Sequence, residues 1–203
     1  MKYVFLIVLF FSINLKTNSN TSTDNSDKFL KVIKTYLNKA SHYQEIRKFY
    51  KLLSTTQKKY QVIKTYVPSF SPLNPNKQKR ISSLFGKRFH PVDKKVKPHL
   101  GLDISANYGT PVHATATGFV KAVKFSNVGY GNQVEILHGF GFETRYAHLH
   151  KLIVKQGQRV NKGDVIGFVG SSGKSTASHL HYEIKKNRIH LDPYPFCFLE
   201  TDY

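Results

Sequence analysis

Short apolar runs, separated by turns that contain glycine, fill the chain from residue 112 onward and restrict this part to a strand-rich fold. Each run has the length and the alternating or β-branched pattern of a strand. The runs cover residues 112–116, 118–124, 133–137, 143–148, 165–169 and 179–184. Turns are predicted at residues 129–132, 138–141 and 162–164, where glycine accepts the positive φ that tight turns often need. With a first strand near Ile81, the sequence predicts a mainly β protein with an antiparallel sheet core and one open face.

A helical segment is predicted before this β region, because apolar residues recur at helical spacing from about Asp27 to Leu53. Ser26 or Asp27 is expected to cap its start, and a break is expected near Ala40. Lysines fill much of the opposite face. We interpret the apolar face as a packing surface. Attachment to a membrane surface or cell wall through the basic face is one alternative, and an inhibitory propeptide is another.

The N-terminus predicts export. Lys2 precedes an uncharged apolar run over residues 3–13, which is short for a membrane span but fits the core of a signal peptide. Residues 1–19 are therefore expected to be a signal peptide, with a short anchor or a buried segment as alternatives. Export across the inner membrane would place the protein in the periplasm or cell envelope. Cys197 is the single cysteine, so the chain cannot form an internal disulfide.

Two further segments follow the predicted signal peptide. Residues 20–75 are expected to contain the helical extension and then a linker, which Pro68, Pro72 and Pro75 should keep extended. Residues 76–203 are expected to form the β domain.

The chain carries a large positive charge, with 31 lysines and arginines against 12 acidic residues and a formal net charge of +19. Such a charge attracts polyanions, which include nucleic acid, anionic lipid and acidic envelope polymers. The basic residues are scattered, and no helix-turn-helix or zinc-finger pattern accompanies them. Together with the predicted export, this argues against nucleic acid and leaves anionic envelope polymers or a membrane surface as partners.

Two distant histidine motifs predict a metal site. His99 and Asp103 are four residues apart, and His179 and His181 are two apart, so each pair would share one face of a strand. Two such strands side by side could bring three ligands onto one Zn²⁺, with the fourth position left for water. Because the chain has ten histidines, a His-x-His pair can arise by chance, and a second one stands at His148 and His150.

The context of these pairs resembles the M23 family of zinc metallopeptidases, the lysostaphin-type cell-wall endopeptidases. Motifs in the order of that family span about residues 80–193. They are residues 85–91 (FGKRFHP), 99–103 (HLGLD), 109–118 (GTPVHATATG), 129–132 (GYGN), 146–149 (YAHL), 160–167 (VNKGDVIG), 175–176 (ST) and 179–183 (HLHYE). Many motifs in one order are far more specific than any single one.

The resemblance implies a fold, a site and an activity. The fold would be the duplicated hybrid motif type of the M23 peptidases, with residues 76–203 as the peptidase domain. His99, Asp103 and His181 match the three zinc ligands, and His148 and His179 match two catalytic histidines that do not bind the metal. The implied reaction is hydrolysis of peptide cross-links in bacterial peptidoglycan, with zinc-bound water as the nucleophile.

The other histidines are expected to have no catalytic role. His150 matches a variable polar position, His90, His113 and His138 are interpreted as structural, and neither His42 nor His190 lies in a motif. The chain departs from the family at residues 177–178, where Ala-Ser replaces the usual Gly-Pro or a similar pair. This change affects a loop near the site and not a ligand.

Two alternatives to a peptidase follow from the same residues. One is a non-catalytic homologue that binds the cell wall or activates another hydrolase. The other is a basic envelope-binding or nucleic-acid-binding module in which the histidines are structural. For a peptidase, the bond could be a direct D,D cross-link or a glycine bridge. The stretch from Ser82 to Arg88 and the prolines before it resemble family members from bacteria with two membranes, and this resemblance favours the D,D bond. The sequence predicts no oligomeric state.

Overall fold

A computed structural model describes residues 22–56, 58–73, 80–89 and 94–200 of the chain. It divides into two compact units, with the boundary between Lys64 and Thr65. The predicted signal peptide lies outside the described residues. Among the helices of the described part, none is long and apolar enough to cross a membrane.

The helical unit contains the predicted amphipathic segment. Helix α1 spans Ser22–Lys39, α2 spans Tyr43–Ser54 and α3 spans Lys58–Gln61, and a 3₁₀ helix follows over Val62–Tyr66. The break predicted near Ala40 is confirmed, because residues 40–42 separate α1 from α2.

The predicted cap is wrong. Helix α1 begins at Ser22, so Ser26 and Asp27 lie inside it. The break itself is held by the carboxylate of Glu45, whose Oε2 accepts a hydrogen bond from the Ser41 amide at 3.1 Å.

Apolar side chains at helical spacing are buried in both long helices. They are Phe29, Ile33 and Leu37 of α1 and Ile46, Phe49, Tyr50 and Leu53 of α2. Aromatic pairs connect the helices: the rings of Tyr36 and Phe49 stack at 5.0 Å, and Phe29 meets Tyr60 edge-on at 4.7 Å. The apolar period seen in the sequence therefore corresponds to the buried face of each helix.

The β unit contains thirteen strands in the described residues. They are β1 Arg80–Ser83, β2 Gly86–Phe89, β3 Val96–His99, β4 Leu102–Ser105, β5 Pro111–His113, β6 Gly118–Lys124, β7 Gln133–His138, β8 Phe142–Ala147, β9 Leu149–Leu152, β10 Arg159–Val160, β11 Val165–Val169, β12 His179–Lys186 and β13 Ile189–Leu191. The six predicted runs all contain strands, although β5 is shorter than expected and β12 continues two residues further.

The strands form three sheets in which every pair is antiparallel. The large sheet has the order β1-β4-β12-β8-β7-β6-β10, and β13 also pairs with β12. A three-stranded sheet has the order β5-β11-β9, and β2 pairs with β3 in a hairpin. The predicted fold class, a mainly antiparallel β core after an N-terminal helical segment, is confirmed.

The core of the β unit lies against the large sheet. Tyr146 of β8 and Tyr182 of β12 are fully buried. Their hydroxyl groups lie 2.9 and 2.8 Å from Oγ1 of Thr115, in the loop after β5. These bonds satisfy the polar atoms of two large aromatic side chains and fix that loop on the sheet.

The segment expected to be an extended linker belongs in part to the β unit. The carbonyl oxygen of Thr65 accepts a hydrogen bond from the Thr117 amide at 2.7 Å, and that of Ser69 accepts one from the Glu200 amide at 2.9 Å. The amide of His113 donates to the Pro72 carbonyl at 2.8 Å. In the structure the compact β unit starts at Thr65, and the backbone from Thr65 to Pro72 bonds to the rest of that unit. The start of the peptidase domain at residue 76 stays a prediction.

Candidate metal and active site

His99, Asp103 and His181 come together on three strands of the β unit. His181 on β12 and Asp103 on β4 are register partners, and His99 ends β3. The His181 Nδ1 and Asp103 Oδ1 atoms are 2.8 Å apart, and His99 Nε2 lies 3.1 Å from each of them. All three side chains are buried. Within the described residues this is the group of His, Cys, Asp and Glu side chains that could hold a metal ion.

The predicted strand arrangement is found for His179 and His181 and not for His99 and Asp103. His179 and His181 share one face of a single strand, as predicted, whereas a turn at residues 100–101 places His99 and Asp103 on separate strands. Gly101 in that turn approaches His181 closely: a Cβ atom there would lie 2.8 Å from Cε1 of the imidazole and 2.5 Å from the Tyr182 carbonyl oxygen. Glycine is therefore required for His99 and Asp103 to converge on His181.

Hydrogen bonds on the outer side of each imidazole direct a lone pair into the cluster. His99 Nδ1 lies 2.7 Å from the Leu84 carbonyl oxygen, and His181 Nε2 lies 3.1 Å from Oε1 of Glu183. Both partners are acceptors, so in the neutral rings these nitrogens carry the proton, and His99 Nε2 and His181 Nδ1 are left as acceptors. Two imidazole lone pairs and a carboxylate facing one another repel unless a cation lies between them. This donor set fits a metal such as Zn²⁺.

The second oxygen of Asp103 is held by Arg88. Nη2 of Arg88, on β2, lies 3.1 Å from Oδ2, while Oδ1 faces the two histidines. Burial would raise the pKa of Asp103, but hydrogen bonds from His181 and His99, and the charge that these rings carry when they are protonated in place of a metal, hold that pKa well below its usual range. Asp103 is therefore an anion, and only one of its oxygens faces the cluster.

His148 and His179 form a second pair beside the three-residue cluster. Their rings are 4.7 Å apart, and His179 Nε2 lies 3.8 Å from Oδ1 of Asp103. Each Nδ1 lies 2.8 Å from a backbone carbonyl oxygen, that of Ser172 for His148 and that of Ala177 for His179. Anchored in this way, each neutral ring keeps Nε2 as its proton acceptor.

The backbone at His148 is unusual. Its φ angle is 60°, in the left-handed region that non-glycine residues rarely adopt. Such conformations cost free energy and occur often at functional sites. Burial lowers the pKa of His148 to about 4, so the ring is neutral at pH 7.

These five side chains line one wall of an open groove of about 290 Å³. Among the described residues, three cationic side chains also line it, those of Arg88, Lys97 and Lys174, and Asp103 is the one acidic lining residue. Ser175 and Thr176 contribute hydroxyl groups, and Tyr130 contributes an aromatic ring. The groove can therefore accept an extended polar chain that carries negative charge.

The remaining described histidines lie away from the cluster. His150 is exposed and contacts the hydroxyl group of Tyr108. His113 bonds to the Gly163 carbonyl at 2.9 Å, His138 bonds to the Thr117 carbonyl at 3.0 Å, and His42 precedes α2. His190, which has no sequence motif, lies 3.3 Å from Glu183. His90 is outside the described residues.

Three side chains near the cluster had no role in the sequence interpretation: Arg88, Tyr130 and Glu183. All three stand within recognised motifs, but the pattern does not say what they contact. Glu183 could have been found by extending the alternation of β12 from His179 and His181 by one more step. Arg88 could not, because its contact with Asp103 depends on the position of the β2–β3 hairpin.

Comparison with known proteins identifies the domain that holds this site. Residues 97–193 match Peptidase family M23. The DD-carboxypeptidase/endopeptidase Mpg of Neisseria meningitidis serogroup B is 49% identical over 114 residues, which cover 56% of this chain and 26% of that protein. The peptidoglycan DD-endopeptidase ShyA of Vibrio cholerae is 49% identical over 107 residues, which cover 52% of this chain and 24% of that protein.

A solved structure shares the fold. The crystal structure of a zinc-containing peptidase from Vibrio cholerae superposes with a TM-score of 0.56 at 37% identity, and the match covers 61% of this chain and 39% of that one. The chain spans about a quarter of the length of the curated relatives that it matches. The matched region includes His99, Asp103, His148, His179 and His181. The chain therefore carries a domain of peptidase family M23.

Proposed function

We propose that this chain is a zinc-dependent endopeptidase that hydrolyses peptide cross-links in bacterial peptidoglycan. The observation that carries the proposal is the convergence of His99, Asp103 and His181 on one wall of an open groove, with the ring pair of His148 and His179 beside them. A metal-binding group and two proton-exchanging groups in one groove are the parts that metal-assisted hydrolysis requires.

His99 Nε2, His181 Nδ1 and one oxygen of Asp103 would hold the metal. When bound, Zn²⁺ supplies an activated water as nucleophile and polarises the scissile carbonyl. Arg88 keeps the second oxygen of Asp103 turned away from the two histidines, so the carboxylate presents a single oxygen to the metal.

His148 and His179 would move the protons of the reaction. Each ring has its Nδ1 proton directed to a backbone carbonyl, so Nε2 can accept a proton from the attacking water and later donate it to the leaving amine. The two rings lie 4.7 Å apart, so both can reach groups of the same bound peptide.

The groove and the relatives favour a direct D,D cross-link over a glycine bridge. A stem peptide carries carboxylate groups, whereas a glycine bridge has no charged side chain. The cationic lining residues Arg88, Lys97 and Lys174 suit the stem peptide. The Neisseria and Vibrio relatives are named for DD-peptidase activity. The site of action would be the cell envelope, reached by export.

The helical unit supplies a second contact with the envelope in this proposal. Six lysines of α1 and α2 are exposed: Lys28, Lys31, Lys34, Lys39, Lys48 and Lys51. Their charge would attract anionic envelope polymers or an anionic membrane surface before the groove engages a peptide.

Mass spectrometry of released fragments tests the function. Purified peptidoglycans with direct cross-links and with glycine bridges are incubated with zinc-loaded protein, and His181→Ala protein is the matched control. We expect monomeric stem peptides from the directly cross-linked material only. Fragments cut within glycine bridges would contradict the choice of bond. No new fragments from either material, with a folded and zinc-loaded protein, would contradict the function.

A further inference from the structure

Glu183 is a buried carboxylate directly behind the cluster, and four side chains surround it. It lies on the same face of β12 as His179 and His181 and is 1% exposed. Its Oε1 atom lies 3.1 Å from His181 Nε2 and 2.5 Å from the Tyr130 hydroxyl. Its Oε2 atom lies 3.1 Å from Arg145 Nη1 and 3.3 Å from His190 Nε2. All four partners can donate, so both carboxylate oxygens are satisfied.

Arg145 connects this carboxylate to a row of alternating charges across the large sheet. Arg145 on β8 is the register partner of Glu183 on β12 and of Glu135 on β7. Its Nη2 atom lies 2.9 Å from Glu135, and Lys124 reaches the same carboxylate at 3.4 Å. The row therefore runs from the metal-binding group to an exposed lysine on β6, and each charge has an opposite neighbour. Such pairing offsets the desolvation cost of a buried carboxylate and fixes its position.

Tyr130 holds the same carboxylate from the groove side. The Arg145 guanidinium lies 4.4 Å from the centre of the tyrosine ring, and the ring centres of Tyr130 and His181 are 5.3 Å apart. Tyr130 and Glu183 thus both contact the His181 imidazole, and Arg145 holds each of them. The ring cannot turn without breaking its bond to Glu183.

We infer that Glu183 is a positioning residue, which directs the Nδ1 lone pair of His181 at the metal by accepting the Nε2 proton of that ring. The carboxylate also makes the imidazole more electron-rich and so a stronger ligand. Glu183 has this role only if the chain binds the metal of its proposed function, but the role does not depend on which bond is cleaved. A carboxylate that served the sheet alone would stabilise the fold without changing metal affinity.

The dissociation constant for Zn²⁺, measured by competition with a chromophoric chelator, separates the two roles. The variants are Glu183→Ala and Glu183→Gln. Glu143→Gln is the matched control, because Glu143 is also a carboxylate on a strand of the large sheet and is paired with a cation, Lys121 at 3.0 Å. We expect zinc affinity to fall about 10–100-fold in Glu183→Ala and about tenfold in Glu183→Gln, and to stay unchanged in the control. Circular dichroism reports whether each variant is folded.

Two results would overturn the inference: a folded Glu183→Ala protein with unchanged zinc affinity, or equal losses in Glu183→Gln and Glu143→Gln. If Glu183→Ala does not fold, Glu183→Gln decides, and an unchanged dissociation constant for it overturns the inference. Zinc affinity is independent of peptidoglycan cleavage. A wild-type protein that binds zinc but releases no fragments would therefore contradict the proposed function and not the role of Glu183.

Discussion

The helical unit and the β unit bury different kinds of residue. The buried side chains described in α1 and α2 are apolar or aromatic, such as Ile33, Leu37 and Phe49. The β unit buries an apolar core as well, but it also buries ionisable side chains at the candidate site and in the charged row behind it, including Asp103, His181 and Glu183. All the buried polar residues of the described part lie after Lys64.

The buried apolar side chains stabilise the fold, whereas the buried ionisable side chains are the ones that can bind a metal or transfer a proton. Burying an apolar side chain is favourable by itself, whereas a buried charge costs free energy unless its partners are in place. The helical unit needs only the correct apolar period. The β unit needs matched partners for each ionisable group, and it has them at Asp103 and Glu183. Residues whose burial is costly are therefore the ones to test for function.

The largest expected effect is that of His181→Ala. Its removal leaves two of the three predicted metal ligands, and two ligands hold zinc poorly. We expect the purified variant to contain little zinc and its hydrolysis of peptidoglycan to fall to background. Metal analysis of the dialysed protein is the measurement. A folded variant with a full complement of zinc would show that the buried His181 of the β unit is not a metal ligand, and the proposed contrast between the two units would lose its main support.

Next in size are the effects of His148→Ala and His179→Ala. Both side chains face the groove without belonging to the three-residue cluster, so we expect zinc content to be kept while hydrolysis falls about 10²–10⁴-fold. His150→Ala is the matched control, because His150 is exposed and contacts Tyr108 instead. Rates are compared at equal zinc loading. Normal turnover in the His148 variant, or loss of turnover in the control, would show that the wrong histidine of this pair was chosen.

The candidate site was more predictable from the sequence than the contacts that support it. Motif order identified His99, Asp103 and His181, and strand alternation placed His179 and His181 on one face. The alternation argument fails for His99 and Asp103, because a turn at Gly101 puts them on two strands. Local periodicity cannot show a turn whose geometry depends on the approach of a distant strand, here the backbone of Tyr182.

Contacts between remote strands were not predictable at all. Arg145 and Glu183 are 38 positions apart in the sequence, and the bond between them requires the register of β12 against β8. The contacts of the segment after Thr65 were not predictable either. Its prolines are typical of an extended linker, but the bonds of Ser69 to Glu200 and of Pro72 to His113 form only when the rest of the unit is folded. The helical unit was predicted well except for its start, because its pattern is local.

A smaller effect is expected from shortening the chain, and it tests the boundary between the units. A chain that begins at Thr65 should fold, bind zinc and cleave short peptides as well as the full chain or better, since the site lies wholly in the β unit. Its binding to whole cell walls should fall at low salt, because the exposed lysines of α1 and α2 are removed.

A chain that begins at residue 76 is the matched comparison. It lacks the backbone bonds made by Thr65, Ser69 and Pro72, and the buried side chain of Leu73. We expect its free energy of unfolding to be several kcal/mol smaller, at about 1 kcal/mol for each bond and 1.5–3 kcal/mol for the leucine. Urea unfolding measures both chains. Equal free energies of unfolding for the two chains would support a domain boundary at residue 76. A folded, zinc-loaded chain from Thr65 that is inert on short peptides would make the helical unit part of the enzyme.

The smallest expected effect is a pH dependence of the free energy of unfolding that comes from His138, a histidine of the β unit. Burial lowers the pKa of His138 to about 4, against about 6.5 in an unfolded chain. The folded state therefore takes up a proton less readily than the unfolded state. The contribution of His138 to stability is complete above pH 6.5 and is lost as the pH falls through 4, with a size of about 1–3 kcal/mol.

His138→Asn isolates this contribution, because asparagine does not titrate and can still donate to the Thr117 carbonyl that His138 contacts at 3.0 Å. Free energies of unfolding are measured in urea at pH 7.5 and 4.5, with a chelator present so that metal binding does not add its own pH dependence. We expect the loss of stability between the two pH values to be smaller in His138→Asn than in the wild type. His150→Asn, which replaces an exposed histidine, should match the wild type. Equal losses of stability in all three proteins would mean that His138 is protonated as readily in the folded chain as in the unfolded chain. The burial of His138 would then not be an example of a costly buried group in the β unit.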